Sequence, residues 1–159
     1  MGALKDHAVT FPSPVAVSLR VADVRRAAQF YERIGFTYVM AVPDENDGLL
    51  LCLLRYGSGS ILLASVDHPQ FPPTNRQRHV ENGPRGLGVR IDLIVPDLAA
   101  TYSACVAANC VITRDPIQEF WGGRSFSCLD PFGYEWQFIQ ANERTTFDQL
   151  ARGAKALWS

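Results

Sequence analysis

A repeat at an offset of 74 residues constrains this chain more than any other feature. Val15, Val17, Leu19 and Val21 alternate with Ala16, Ser18 and Arg20, the pattern of a half-buried strand. Asp23 follows, a residue suited to accept from the first N–H groups of a helix. Val24, Ala27, Ala28, Tyr31 and Ile34 then recur at helical spacing, and Gly35 supplies a stop that tolerates left-handed backbone. One offset later, Val89, Ile91, Leu93 and Val95 alternate with Arg90, Asp92 and Ile94. Asp97 takes the place of Asp23, a helix Leu98–Ala108 follows, and Asn109 stands where Gly35 stood.

Three extended segments follow each helix: Phe36–Val42, Gly48–Leu54 and Ser60–Val66, then Val111–Thr113, Arg124–Leu129 and Glu135–Gln140. Acidic or glycine-rich turns separate most of them. The predicted fold class is therefore α+β, two tandem βαβββ modules over residues 14–140: module one at 14–66 and module two at 88–140. Residues 67–87, with Pro69, Pro72, Pro73 and Pro84, read as a long irregular connection of the kind that serves as a lid or linker. Beyond Gln140, Thr146 and Gln149 resemble a capping box. Phe147, Leu150, Ala151, Ala154 and Leu157 make one apolar stripe, so residues 144–158 are expected to form a C-terminal helix docked on the body or on a partner.

At 159 residues the chain can bury a core without disulfide or metal staples. Its formal net charge of −1 gives no field for nucleic acid or an anionic membrane. The longest uncharged stretch, Leu98–Thr113, is too short and too polar to span a bilayer. No secretory h-region follows the start, and Asp6 spoils a myristoylation motif. Cys52, Cys105, Cys110 and Cys128 form no C-x-x-C and read as reduced thiols of a cytoplasmic protein. Walker, nucleophile-elbow, zincin and dinucleotide fingerprints are all absent from the sequence. His7, His68 and His79 read as solvated loop residues.

Alternation also assigns faces. Val15, Val17, Leu19, Val21, Val89, Ile91, Leu93, Val95, Trp136 and Phe138 are expected under the helices. The opposite face then carries Ser18, Arg20, Arg90, Asp92, Glu135 and Gln137, together with Leu63, Ile94 and Ile139. That mixture suits a partly covered wet cleft better than open solvent.

Val21-Ala22-Asp23, Phe30-Tyr31-Glu32-Arg33-Ile34-Gly35-Phe36 and the run Trp121-Gly122-Gly123-Arg124 through Asp130-Pro131-Phe132-Gly133 resemble the glyoxalase/bleomycin resistance/dioxygenase (vicinal oxygen chelate) superfamily. The resemblance covers about Pro14 to Gln140. It implies four metal-ligating positions, early in the first strand and late in the last strand of each module. These fall on Ala16, Leu63, Arg90 and Gln137. Alanine and leucine cannot ligate, and arginine brings a permanent charge, so the expected metal is none and the expected cofactors none. The nearest kin are then the metal-free, bleomycin-resistance-like members.

The candidate ligand-binding residues are Arg90, Asp92, Phe120, Trp121, Arg124, Glu135 and Gln137. Arg90 reads either as a structural ion pair with Asp92 or Glu135 or as an anchor for an anionic ligand group. Trp121, with Phe120, reads either as a core cap or as an aromatic wall for planar rings. Trp136 and Trp158 read as packing residues. Glu135 is the one candidate base, if desolvated. The expected function is metal-independent binding of a small molecule, an antibiotic or aromatic metabolite, by a homodimer with no nucleic-acid or membrane partner. The alternative is a lyase, isomerase or dioxygenase with a non-standard site. A third possibility is a diverged regulatory or structural role.

Overall fold

A computed structural model describes residues 14–70, 73–141 and 146–158. The chain divides into two compact units, residues 1–72 and 73–159. The first contains β1 (Ala16–Val21), α1 (Val24–Arg33), β2 (Thr37–Pro43), β3 (Leu49–Tyr56) and β4 (Gly59–Ser65). The second contains α2 (Asn75–Asn82), β5 (Arg90–Ile94), α3 (Leu98–Ala107), β6 (Val111–Gln118), β7 (Arg124–Leu129), β8 (Glu135–Gln140) and α4 (Phe147–Ala156). Each unit has one four-stranded sheet, ordered β1-β4-β3-β2 and β5-β8-β7-β6. The first and last strands of each module pair in parallel and the rest antiparallel. Two tandem βαβββ modules with a C-terminal helix are thus the fold that the repeat predicts.

The repeat extends to local detail. Asp23 accepts from Arg26 N and Asp97 from Ala100 N, each at 2.9 Å. Gly35 (φ 108°) and Asn109 (φ 62°) take the left-handed stop. The irregularity between Tyr38 and Met40 in β2 recurs between Ile112 and Arg114 in β6. In the first unit α1 packs on β3 and β4, burying Ala27, Phe30 and Tyr31 with Leu19, Val21, Leu54 and Leu63. In the second, α3 packs on β7 and β8 over Phe126, Cys128, Trp136 and Phe138.

Several expectations change. Residues 75–82 are a helix, not irregular chain: Thr74 accepts from Gln77 N, and Gly83 closes the far end at φ 70°. β6 runs to Gln118, although Asp115 and Pro116 interrupt the sequence pattern. An edge strand tolerates the lost donor of Pro116, and β6 is at the edge. Leu63 is not on the polar face. It pairs with Leu19, is fully buried, and sits under α1. The turn between β3 and β4 is one residue shorter than that between β7 and β8, so the offset grows from 74 to 75 and Gln137 matches Leu62 instead. A one-residue slip moves a side chain to the other face.

Val15 and Val89, each one residue before its strand, are exposed rather than covered by the helices. His68 is buried, its Nδ1 accepting from Gln70 N at 3.1 Å, and is no solvated loop residue. His79 lies in α2, and His7 falls outside the described residues. Trp136 packs as expected, whereas Trp158 is 90 % exposed. α4 has the expected capping box at Thr146 and Gln149 but no buried residue. It approaches the Phe120 backbone through Gly153, where any Cβ would collide.

Candidate functional site

The candidate site lies in the second unit, on the sheet face turned away from α3. Register places Arg90 beside Glu135 and Asp92 beside Gln137. Ser127 flanks Gln137 on the other side, and Arg114 of β6 flanks Ser127. β7 and β8 are central strands, so side chains from four strands share this face.

At its centre is a buried polar network. Ser125 is fully buried, Gln137 is 6 % exposed and the Glu119 side chain 9 %. Glu119 Oε1 accepts from Arg114 Nη2 at 2.6 Å, from Gln137 Nε2 at 3.3 Å and from the Ser125 hydroxyl. Ser125 Oγ also accepts from Arg114 Nη2 at 2.7 Å and from Gln137 Nε2 at 2.9 Å. Burial of a carboxylate is tolerable only with such compensation. Arg114 is itself 39 % exposed along its side chain, so the cluster reaches solvent on one flank.

Beside the network, Arg90 Nε donates to Asp92 Oδ1 at 2.7 Å and Nη2 to Oδ2 at 3.3 Å. Both side chains are about half exposed. The structural alternative for Arg90 is therefore realised, and its partner is Asp92. The Asp92 hydrogen bond, seconded by the charges of Asp92, Glu135 and Glu119, pushes the Arg90 guanidinium above its usual range. Glu135 is exposed at the start of β8. That position supplies none of the desolvation a general base would need here.

The third part is the turn between β6 and β7. Glu119 N donates to Gly123 O at 2.7 Å and Gly122 N to Glu119 O at 3.1 Å, closing it. Phe120 is 42 % exposed and Trp121 half-buried. The Trp121 indole lies against Gly123 in space that a Cβ would occupy, and Gly122 takes φ 98°, so each glycine has its own physical reason. The residue that anchors the network and the two aromatic residues are thus consecutive in sequence.

Of the residues expected from sequence, the structure assembles Arg90, Asp92, Glu135 and Gln137 on one face and Phe120 with Trp121 in the adjoining turn. Arg124 alternates with Ser125 and shares the helix-side face with Phe126 and Cys128, away from the network. Arg114, Glu119 and Ser125 were not foreseen. Ending β6 at Thr113 leaves Arg114 out of the sheet, and period-2 counting from Ile112 would put it on the helix side, because the irregularity between Ile112 and Arg114 turns it to the other face.

The four positions that would ligate a metal in the resemblance do not fit a divalent cation. Ala16 has no side-chain donor atom, Leu63 faces the core, and Leu62, the residue that matches Gln137, is equally apolar. Arg90 is a permanent cation tied to Asp92, so only Gln137 Oε1 is left as a side-chain donor. A hard cation needs several oxygen or imidazole donors.

A concavity lies in the first unit, a cleft of about 760 Å³ beside the start of α1. Asp23, Arg25, Asp44, Glu45 and Asp67 line it. Asp23 caps α1, and Asp44 Oδ1 accepts from Asn46 N and Gly48 N, so these two carboxylates close local backbone. Nothing in this cleft matches the packed side-chain network of the second unit.

Residues 7–138 match the model of the Glyoxalase/Bleomycin resistance protein/Dioxygenase superfamily. The chain belongs to that superfamily. It is 24 % identical over 144 residues to the uncharacterized protein Rv0887c of Mycobacterium tuberculosis, spanning 90 % of this chain and 83 % of that one. Among solved structures, TioX from Micromonospora sp. ML1 superposes with a TM-score of 0.60 at 21 % identity, covering 80 % of this chain and 98 % of TioX. A bleomycin resistance determinant encoded on the transposon Tn5 superposes with a TM-score of 0.51 at 25 % identity, covering 83 % and 99 %. The superfamily hosts binding proteins and enzymes alike, so the activity of this member must be argued from its own site. Among the described residues no helix is long and apolar enough to cross a membrane.

Proposed function

We propose that this chain is a metal-independent small-molecule-binding protein. Its ligand is a planar aromatic compound with polar substituents, of the kind found among antibiotics and aromatic metabolites. One observation carries this reading: a buried network of Glu119, Arg114, Ser125 and Gln137 sits directly beside the Phe120–Trp121 turn. A few fixed polar groups beside an aromatic wall are what orient and stack a planar ligand. Of the four positions where the superfamily's metalloenzymes bind their ion, only Gln137 offers a side-chain oxygen, which supports binding without a metal. Arg90 and Asp92 form the polar rim, and Glu135 acts there as a charge rather than as a base. The likeness to a bleomycin resistance determinant supports sequestration of a drug-like molecule. A homodimer with isologous contacts and a cytoplasmic setting with reduced thiols complete the proposal.

Thermal-shift screening of planar aromatic compounds, followed by tryptophan-fluorescence titration, tests it. A hit is expected to raise the melting temperature. Its affinity is expected to survive chelator treatment and to fall about tenfold or more in Trp121→Ala. Turnover of the ligand, loss of binding on chelation, or undiminished affinity in Trp121→Ala would each overturn the proposal.

A further inference from the structure

Cys105, Cys110 and Cys128 meet on the helix side of the second sheet, the side opposite the network. Their three Sγ atoms all lie within 4.8 Å of one another. Three elements deliver them: α3 gives Cys105, the segment after its left-handed stop gives Cys110, and central strand β7 gives Cys128. The stop fixes the first two, because Cys110 N donates to Cys105 O at 3.0 Å around Asn109. Cys105 and Cys128 are fully buried and Cys110 is half-buried, so one edge of the cluster faces outward.

The other copy of the repeat shows how unusual this is. The matching positions are Tyr31, Phe36 and Leu54, all buried, with the two rings edge to face at 5.7 Å. The fold fills this place with two aromatic rings and a leucine in one module and with three sulfurs in the other. Packing alone does not require convergence of three thiols from three separate elements.

We propose that Cys105, Cys110 and Cys128 form a three-sulfur binding site for one thiophilic metal ion of the Cu(I) or Zn(II) type. A metal–sulfur bond of about 2.3 Å places the sulfurs of a trigonal or tetrahedral site roughly 4 Å apart, a separation this cluster reaches with little adjustment. Thiolate donors select these soft or borderline ions over hard ones. The nearby Asp130 carboxylate is already engaged: Oδ1 accepts from Phe132 N and Tyr134 N, and Oδ2 from Trp136 Nε1, each at 2.9 Å. The protein donors are therefore the three sulfurs, which suits Cu(I) directly and Zn(II) with a water on the Cys110 side. Binding takes all three sulfurs as thiolates and releases to solvent whatever thiol protons the cluster still holds, while the ion keeps its oxidation state.

The test uses the full chain, fully reduced and titrated anaerobically in separate arms with Cu(I) and Zn(II) against chromophoric chelators. One ion per chain is expected in at least one arm, with ultraviolet thiolate-to-metal charge-transfer absorbance and a raised melting temperature. Cys110→Ser, the substitution least disturbing to the core, is expected to weaken binding about a hundredfold or more and to abolish the melting shift. Cys52→Ala, in the other unit, is expected to bind as the unaltered chain does. Failure of both ions to bind at one per chain overturns the proposal, as does a folded Cys110→Ser variant that retains full affinity.

Discussion

The two modules share one backbone plan and diverge in what they place on the face away from the helix. In module two that face carries Arg114, Ser125, Ser127 and Gln137. The matching positions in module one are Met40, Leu51, Leu53 and Leu62. The same reversal occurs on the helix side, where Tyr31, Phe36 and Leu54 are matched by three cysteines. Caps, stops and strand irregularities are kept, so backbone architecture and side-chain chemistry are separable. The helix starts and stops specify the module, and the strand faces are then free to specialise.

The largest expected effect breaks the equivalence of the two helix-side cores. Tyr31→Ala removes a fully buried ring and is expected to cost about 3–5 kcal/mol. Cys105→Ala, at the matching place, removes one sulfur and is expected to cost no more than about 1.5 kcal/mol in metal-free protein. Urea unfolding of both variants measures the difference. Equal costs would mean that the aligned positions do not do equivalent work.

Next in size is the polar network. Glu119→Ala strips Arg114, Ser125 and Gln137 of a shared acceptor and is expected to cost about 2–3 kcal/mol, moderated because Arg114 reaches water. Replacing the whole network with apolar residues, as Arg114→Met, Glu119→Leu, Ser125→Ala and Gln137→Leu together, would make the face resemble that of module one. Its stability is expected within about 1.5 kcal/mol of the unaltered chain, because no buried group is left without its partner. Ligand binding is expected to disappear. A quadruple variant less stable than Glu119→Ala alone would show that the network is a structural keystone instead.

A smaller effect is expected at the aromatic turn. Gly123→Ala forces the Trp121 ring to move and crowds the Gln140 carbonyl, at a cost of about 1–3 kcal/mol. Tryptophan emission is expected to shift to longer wavelength as the indole becomes more exposed. An unshifted spectrum would show that the ring does not depend on the glycine.

The sequence carries these features unevenly. Asp97 and Asn109 were legible because capping and left-handed stops demand particular chemistry at one position. α2 was hidden among prolines and carries little apolar periodicity, yet Thr74 with Gln77 three residues on was a readable start signal. Leu63 was misassigned because a constant offset cannot register a turn that differs by one residue. The network was the least legible part. Glu119 sits in a turn, Arg114 lies past an irregularity in a strand interrupted by Pro116, and Ser125 looks like any strand serine until its neighbours are known.

The effect that vanishes at neutral pH concerns Cys52, which module one keeps at the place of Phe126 in module two. Burial, with a further contribution from Glu32, pushes its thiol up from 9.0 to about 11. The unfolded chain releases this proton near pH 9, whereas the folded chain holds it until about pH 11. The folded state therefore binds more protons across that window, and stability must fall as pH rises through it. Below pH 9 both states carry the neutral thiol and the contribution is constant. Unfolding measured from pH 8 to 11 is expected to show a steeper loss for the unaltered chain than for Cys52→Ala. The other three cysteines are present in both proteins, so the comparison is made between the two at each pH and only the contribution of Cys52 differs. Parallel curves would mean that the thiol is hydrated in the folded protein and that the helix-side core of module one is looser than its burial indicates.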